Sequence, residues 1–119
     1  MFILTIVLAL VVALIFGGAG VAKITNQQQM VEAREHLAIP TALWRVIGIL
    51  EVLGAAGLII GLHQDLPVIG VLAAAGLVGM SIGAVFYHQR AGDSIPQWLP
   101  AVVAGSLAIF YAIARIGSA

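Results

Sequence analysis

Cysteine is missing from the chain altogether. That removes disulfides, thiolate metal sites and thiol redox chemistry, and leaves the redox compartment unmarked. Charge is scarce too: 8% of the 119 residues are Asp, Glu, Lys or Arg, against roughly 25% in soluble domains. Five basic and five acidic residues cancel to a net charge of zero, so no basic patch speaks for a nucleic-acid partner. What fills the chain is apolar, with 62% hydrophobic residues and a mean hydropathy of +1.15. A soluble protein of this length leaves much of its surface exposed and has too little interior to hide so much apolar area. The lipid bilayer is therefore expected to be part of its solvent.

Four runs are long enough for the roughly 20 helical residues that cross about 30 Å of hydrocarbon. They are Phe2 to Ala22, Ala42 to Leu62, Val68 to Tyr87 and Gln97 to Ile116. Length decides for helix over strand. The expected fold is all-α, an antiparallel four-transmembrane-helix bundle forming one domain over residues 1–119. The first run lacks a positive flank and is too long for the apolar part of a signal peptide, so it reads as a retained span. Pro40, Pro67 and Pro96 stand at or just before the other three starts, where a missing N–H costs little. The polar stretch "KITNQQQMVEAREHLAIP" separates the first two spans. Thr25 and Gln28 have capping-box spacing, and Met30, Ala33 and Leu37 share a helical face. The stretch reads as a short interfacial helix or as a plain loop.

Small residues mark where helices approach. Gly54, Gly57 and Gly61 in the second span repeat the spacing of Gly76, Gly79 and Gly83 in the third, and Ala101, Gly105, Ala108 and Ala112 form a similar ridge on the fourth. Such ridges let backbones come close in lipid. They are expected to pack one bundle, with a homo-oligomer face as the other reading.

Antiparallel order gathers Lys23, Arg34, Arg45 and Arg90 at one membrane face and leaves Arg115 at the other. By the positive-inside rule, the first and third connections are cytoplasmic and both termini external, as expected of a prokaryotic plasma membrane. Glu51 lies about 9 Å deeper than Arg45 at 1.5 Å per residue. An ionised carboxylate at that depth costs on the order of 2.5–3.5 kcal/mol by insertion scales, so it is expected to face the bundle interior. Lys23 shares its half of the bundle. Tyr87, His88 and Arg90 end the third span there, Gln97 and Trp98 open the fourth, and Ser81 and Ser106 are the mildly polar residues deeper in. These residues, with Arg45, define a candidate polar pocket. Against it stand plainer roles. The Lys23–Glu51 pair can simply fix helix register, Arg45 can snorkel, and Trp44 and Trp98 can be aromatic-belt residues. His88 can cap a helix end through a carbonyl, and His36 and His63 can be loop residues. The three histidines show no metal spacing and no matched depth for haem. No nucleophile–base pair or phosphate loop is present, so no catalytic residue is assigned.

The segments "FGGAGVAKI" (16–24), "IPTALWRVIGILEVLGAAGLIIGL" (39–62) and "AAAGLVGMSIGAVFYHQRAGD" (73–93), with a final apolar span, resemble the DoxX-like family of small four-helix membrane proteins. The resemblance rests on Gly20, Lys23, Pro40, Arg45, Gly48, Glu51 and Gly54, then His88, Arg90, Gly92 and Asp93. One departure is the missing arginine near the start of the first helix. The family is named after a small subunit of an archaeal terminal quinol oxidase, and its members are linked to redox enzymes, quinones and oxidative stress. The resemblance thus implies an accessory protein that binds a quinone-like or other amphipathic ligand, or a redox-enzyme partner, with no resident cofactor unless a quinone. A structural or assembly subunit is the alternative, and an oligomeric proton-coupled transporter a further one.

Overall fold

The computed structural model describes residues 2–118. It contains five helices: α1 (Phe2–Ile24), α2 (Gln28–Leu37), α3 (Thr41–Ile60), α4 (Pro67–Arg90) and α5 (Ile95–Gly117). Four of them, α1, α3, α4 and α5, are long and apolar enough to cross a membrane. They alternate in direction around one core, and α2 is the short amphipathic helix between the first two. The plain-loop reading of that stretch is thereby set aside.

Local chemistry explains the boundaries. Pro40 is the N-cap of α3, Pro67 is the first residue of α4, and Pro96 stands in the first turn of α5, where the absent N–H has no helical partner to lose. The connection from α2 to α3 turns at Ala38, whose φ of 55° ends α2 in a left-handed cap and whose N–H donates to Glu35 O. The expected Thr25–Gln28 capping box does not form. Gln27 is the N-cap of α2 and makes no side-chain cap bond. Thr25 instead belongs to the end of α1, and its hydroxyl donates back to Val21 O at 2.8 Å. Side chains of this type readily satisfy the carbonyls a helix end leaves open.

Much of the bulky aliphatic surface of the bundle faces outward, and small residues stand at many of the helix contacts. In α1, Thr5, Ala9, Val12, Phe16 and Gly20 are buried, whereas Ile3 and Leu14 are 79% and 78% exposed. That inversion suits a molecule whose outer solvent is lipid, since there is no gain in hiding Leu or Ile from acyl chains. α1 packs chiefly on α3 and α4 on α5, with α3–α4 and α1–α5 contacts closing the ring. The closest approach on the first pair is Gly20 against Gly48, where a Cβ on Gly20 would stand 2.5 Å from Gly48 O. Farther along α3, Gly54 receives Leu77, Gly57 receives Ala73, and Gly61 meets Gly70. Gly105 of α5 faces Ser81 of α4.

Gly76, Gly79 and Gly83 do not share this work within the chain: a Cβ on any of them would meet nothing within 4 Å. α4 turns Gly70, Ala74, Leu77 and Ser81 inward. Each of the three glycines lies two residues past one of these, about 200° around a helix of 3.6 residues per turn.

At the end of the bundle away from α2, α5 closes the terminus of α3. Arg115, 2% exposed, donates from Nε to Gly61 O at 2.6 Å and from a terminal nitrogen to His63 O at 3.1 Å. Tyr111 donates its hydroxyl to Leu58 O at 2.8 Å. A cation set against the carbonyl end of a helix is favoured by the backbone dipoles as well as by hydrogen bonding.

We predict that Gly20→Ala destabilises the bundle by about 1–3 kcal/mol, the usual range for overpacking. Gly76→Ala should be neutral, or gain up to about 1 kcal/mol from helix propensity. Unfolding in detergent micelles compares the two, and an equal loss for both would contradict the assigned faces.

Candidate functional site

The crossing of α1 and α3 also sets the charges. Lys23 follows Gly20 by one turn, and Glu51 follows Gly48 by one turn. Because helical side chains lean toward the N-terminus of their own helix, the Lys23 stem runs inward from the membrane face. Its Nζ donates to Glu51 Oε1 at 2.6 Å, with the side chains 11% and 8% exposed. The same ammonium lies 4.9 Å from the ring centroid of Trp44, a favourable cation–π distance. Glu51 Oε2 takes no hydrogen bond from any described residue.

Beside the pair is a cavity of about 390 Å³, reached by residues of all five helices. Its polar lining comes from Lys23, Glu51, Ser81, His36 and His88; most of the rest is aliphatic or aromatic, with Trp44 and Tyr87 among it. Ser81 is 6% exposed, and its Oγ has no partner among the described residues. Buried hydroxyls are nearly always hydrogen-bonded, which sets this one apart from the other buried polar groups of the described residues. A shallower groove of about 210 Å³ between α4 and α5 shares Ser81 and Ala101 with the cavity. Exposed aliphatic residues such as Ile82 and Ile109 line that groove.

α2 roofs the cavity with its apolar face. Leu37 packs with Ile39 and Trp44, and Met30, Ala33 and Tyr87 lie against them. Polar contacts tie this roof to the end of α4. Asp93 Oδ1 is 2.6 Å from His36 Nε2, and Asp93 Oδ2 is 2.6 Å from His88 Nδ1. A carboxylate only accepts, so each imidazole donates the proton at that nitrogen. These bonds, His88 first and His36 second, hold the Asp93 carboxyl below its ordinary acidity range. Arg90 adds a second tie by donating to Leu37 O at 3.2 Å and Ala38 O at 3.4 Å, its guanidinium lying 4.6 Å from the Tyr87 ring centroid.

Of the residues expected at one polar pocket, Lys23, Glu51, Ser81, Tyr87 and His88 line the cavity. Arg90 acts at its roof rather than inside. Arg45 does not join them: it is exposed on the outer face of α3, one position past the buried Trp44. Gln97 is a helix cap whose Oε1 accepts from the Ser94 N–H at 2.7 Å and the Ser94 hydroxyl at 3.1 Å. Trp98 lies outside the cavity lining. Gly54, Gly57, Gly61 and Gly105 sit at helix contacts, as described above. His36 was expected in a loop and His88 at a carbonyl; the structure brings both to Asp93 instead. In the sequence, Asp93 is marked only by the family resemblance. The missed signal was chemical: the single carboxylate of the connection between α4 and α5, with histidines on the two segments at the same membrane face.

The Asp93 contacts carry a pH signature. Because the folded-state pKa of Asp93 is lowered, its contribution to stability is fully present above the ordinary carboxylate value of about 3.9. It is lost as pH falls through the lowered folded value. We predict that α2 amides stay protected from hydrogen exchange down to that acid range, and that Asp93→Asn exposes them already at neutral pH. Unchanged α2 protection in Asp93→Asn would contradict the tie.

A profile of the DoxX-like family matches residues 7–111, a stretch that includes the ion pair, the cavity and Asp93. No curated protein and no solved structure matches the chain significantly. With four membrane-crossing helices and this match over most of its length, the chain is an integral membrane protein and belongs to the DoxX-like family.

Proposed function

We propose that this protein is an accessory membrane protein that receives the head of an amphipathic ligand, with quinones among the candidates, in the cavity between Lys23, Glu51, Ser81 and His88. One observation carries the reading: the unpartnered Ser81 hydroxyl is buried on the wall of a space of about 390 Å³ that also contains the ion pair. That volume is within the roughly 300–1,000 Å³ of small-molecule sites, which are typically apolar with a few placed polar groups. The proposed route for a tail is the α4–α5 groove, which shares Ser81 and Ala101 with the cavity lining. The charged end, with Lys23, Arg34, Arg45 and Arg90, is assigned to the cytoplasm by the positive-inside rule.

A second reading has its own support. The ion pair sits one turn from the tight Gly20–Gly48 crossing, a place where it would fix helix register in a structural or assembly subunit.

Trp44 lines the cavity and Trp98 does not, so Trp98→Phe leaves a reporter at the site. Titrating a short-tailed quinone into that variant in nanodiscs should quench Trp44 fluorescence saturably. Filling the cavity with Ser81→Phe should abolish the saturable phase, and Glu51→Gln should weaken it. Quenching that never saturates, or that is identical in all three proteins, rejects ligand binding and favours the structural reading.

A further inference from the structure

The polar groups around the cavity differ in whether they are already engaged, and that difference selects the ligand's charge. This step rests on the ligand-binding reading above. The Lys23 ammonium is neutralised by Glu51 at 2.6 Å. The Asp93 carboxylate is held between His36 and His88. Arg90 is committed to the carbonyls that end α2 and to the Tyr87 ring. Arg34 donates to Ile39 O at 3.1 Å. Arg45 is exposed and lies outside the lining. No unneutralised cation of a described residue faces the space.

What remains is a set of neutral or accepting positions. Glu51 Oε2 is an open acceptor. The Ser81 hydroxyl both donates and accepts and has no partner among the described residues. His88 spends Nδ1 on Asp93, so in the neutral ring its Nε2 is a further acceptor. Lys23 retains N–H groups beyond the one given to Glu51. An anionic head placed here would find no cation that is not already paired to offset its desolvation, and would lie beside the Glu51 carboxylate. A cationic head would have to displace Lys23 from Glu51 or sit beside it. A hydroxyl meets neither obstacle: it donates to the carboxylate and accepts from serine or lysine.

We propose that the cavity selects uncharged, hydroxyl-bearing amphipaths, with phenolic or alcoholic heads, and discriminates against fatty-acid-like anions and alkylammonium cations. The head fills the cavity, and the tail follows the α4–α5 groove past Ser81.

Three probes of matched tail, 4-heptylphenol, 4-heptylbenzoate and 4-heptylbenzylammonium, separate the possibilities. They are titrated against the full chain carrying Trp98→Phe in nanodiscs of uncharged lipid at mildly alkaline pH, where free imidazole is neutral, with Ser81→Phe correcting for partition into the bilayer. The phenol should bind at least roughly tenfold more tightly than either charged probe. Ser81→Ala should weaken the phenol about five- to tenfold, the loss of about one hydrogen bond. Benzoate or benzylammonium binding as tightly as phenol, and still abolished by Ser81→Phe, overturns the charge selection while leaving the cavity as a ligand site. Absence of saturable, Ser81→Phe-sensitive binding by all three probes overturns the ligand-binding reading itself.

Discussion

Lys23 and Glu51 meet at 2.6 Å between two helices that are otherwise almost wholly apolar. Either charge alone in the hydrocarbon would cost on the order of 2.5–3.5 kcal/mol. Together they turn two liabilities into a directional contact that can form in one register of α1 against α3. Gly20 and Gly48 make that register reachable, because a side chain at either would push the backbones apart before the ammonium reached its partner. Trp44 covers the ammonium from the α3 side, and the cavity opens where the remaining helices cannot fill in around the pair. The proposed ligand site follows from the same constraint: an ion pair fixed on two helices leaves a polar wall that the apolar surfaces of α4 and α5 do not match.

Two ends of the bundle solve the same problem in different ways. Helix termini leave carbonyls without partners, and no water is at hand in the hydrocarbon. Where α3 ends, the buried Arg115 and Tyr111 of α5 donate to Leu58, Gly61 and His63. Where α2 ends, Arg90 of α4 serves, with the His36–Asp93–His88 bridge beside it. The first closure is buried. The second lies at the membrane face and holds the roof through exposed or half-exposed imidazoles.

The helices and their order were legible because length, proline placement and scarcity of charge are one-dimensional signals. The Lys23–Glu51 pairing was legible for a related reason: rare charges at similar depth in adjacent spans have few alternatives to each other. Helix rotation was not legible where a span is apolar on every side. α4 offers no polar stripe to aim outward, so its sequence does not show that Gly70, Ala74, Leu77 and Ser81, rather than Gly76, Gly79 and Gly83, form the inward ridge. Gln97 and Trp98 share the depth of the pocket, yet depth does not fix azimuth: Gln97 caps the start of α5 and Trp98 lies outside the cavity lining. Arg115 resembled a topology signal at a terminus; its role depends on where α3 ends in space. His36 and Asp93 are far apart along the chain, and only the fold makes them neighbours.

The central claim, that the pair inside the α1–α3 crossing is a coupled interaction rather than two separate charges, is tested most directly by a double-mutant cycle on unfolding free energy in micelles with Lys23→Met, Glu51→Leu and the combination. Each single variant should lose several kcal/mol, of the order of 3–5 kcal/mol, because it strands a buried charge, and the double variant should be more stable than either single. Losses that simply add, with the double variant the least stable of the three, would contradict the account.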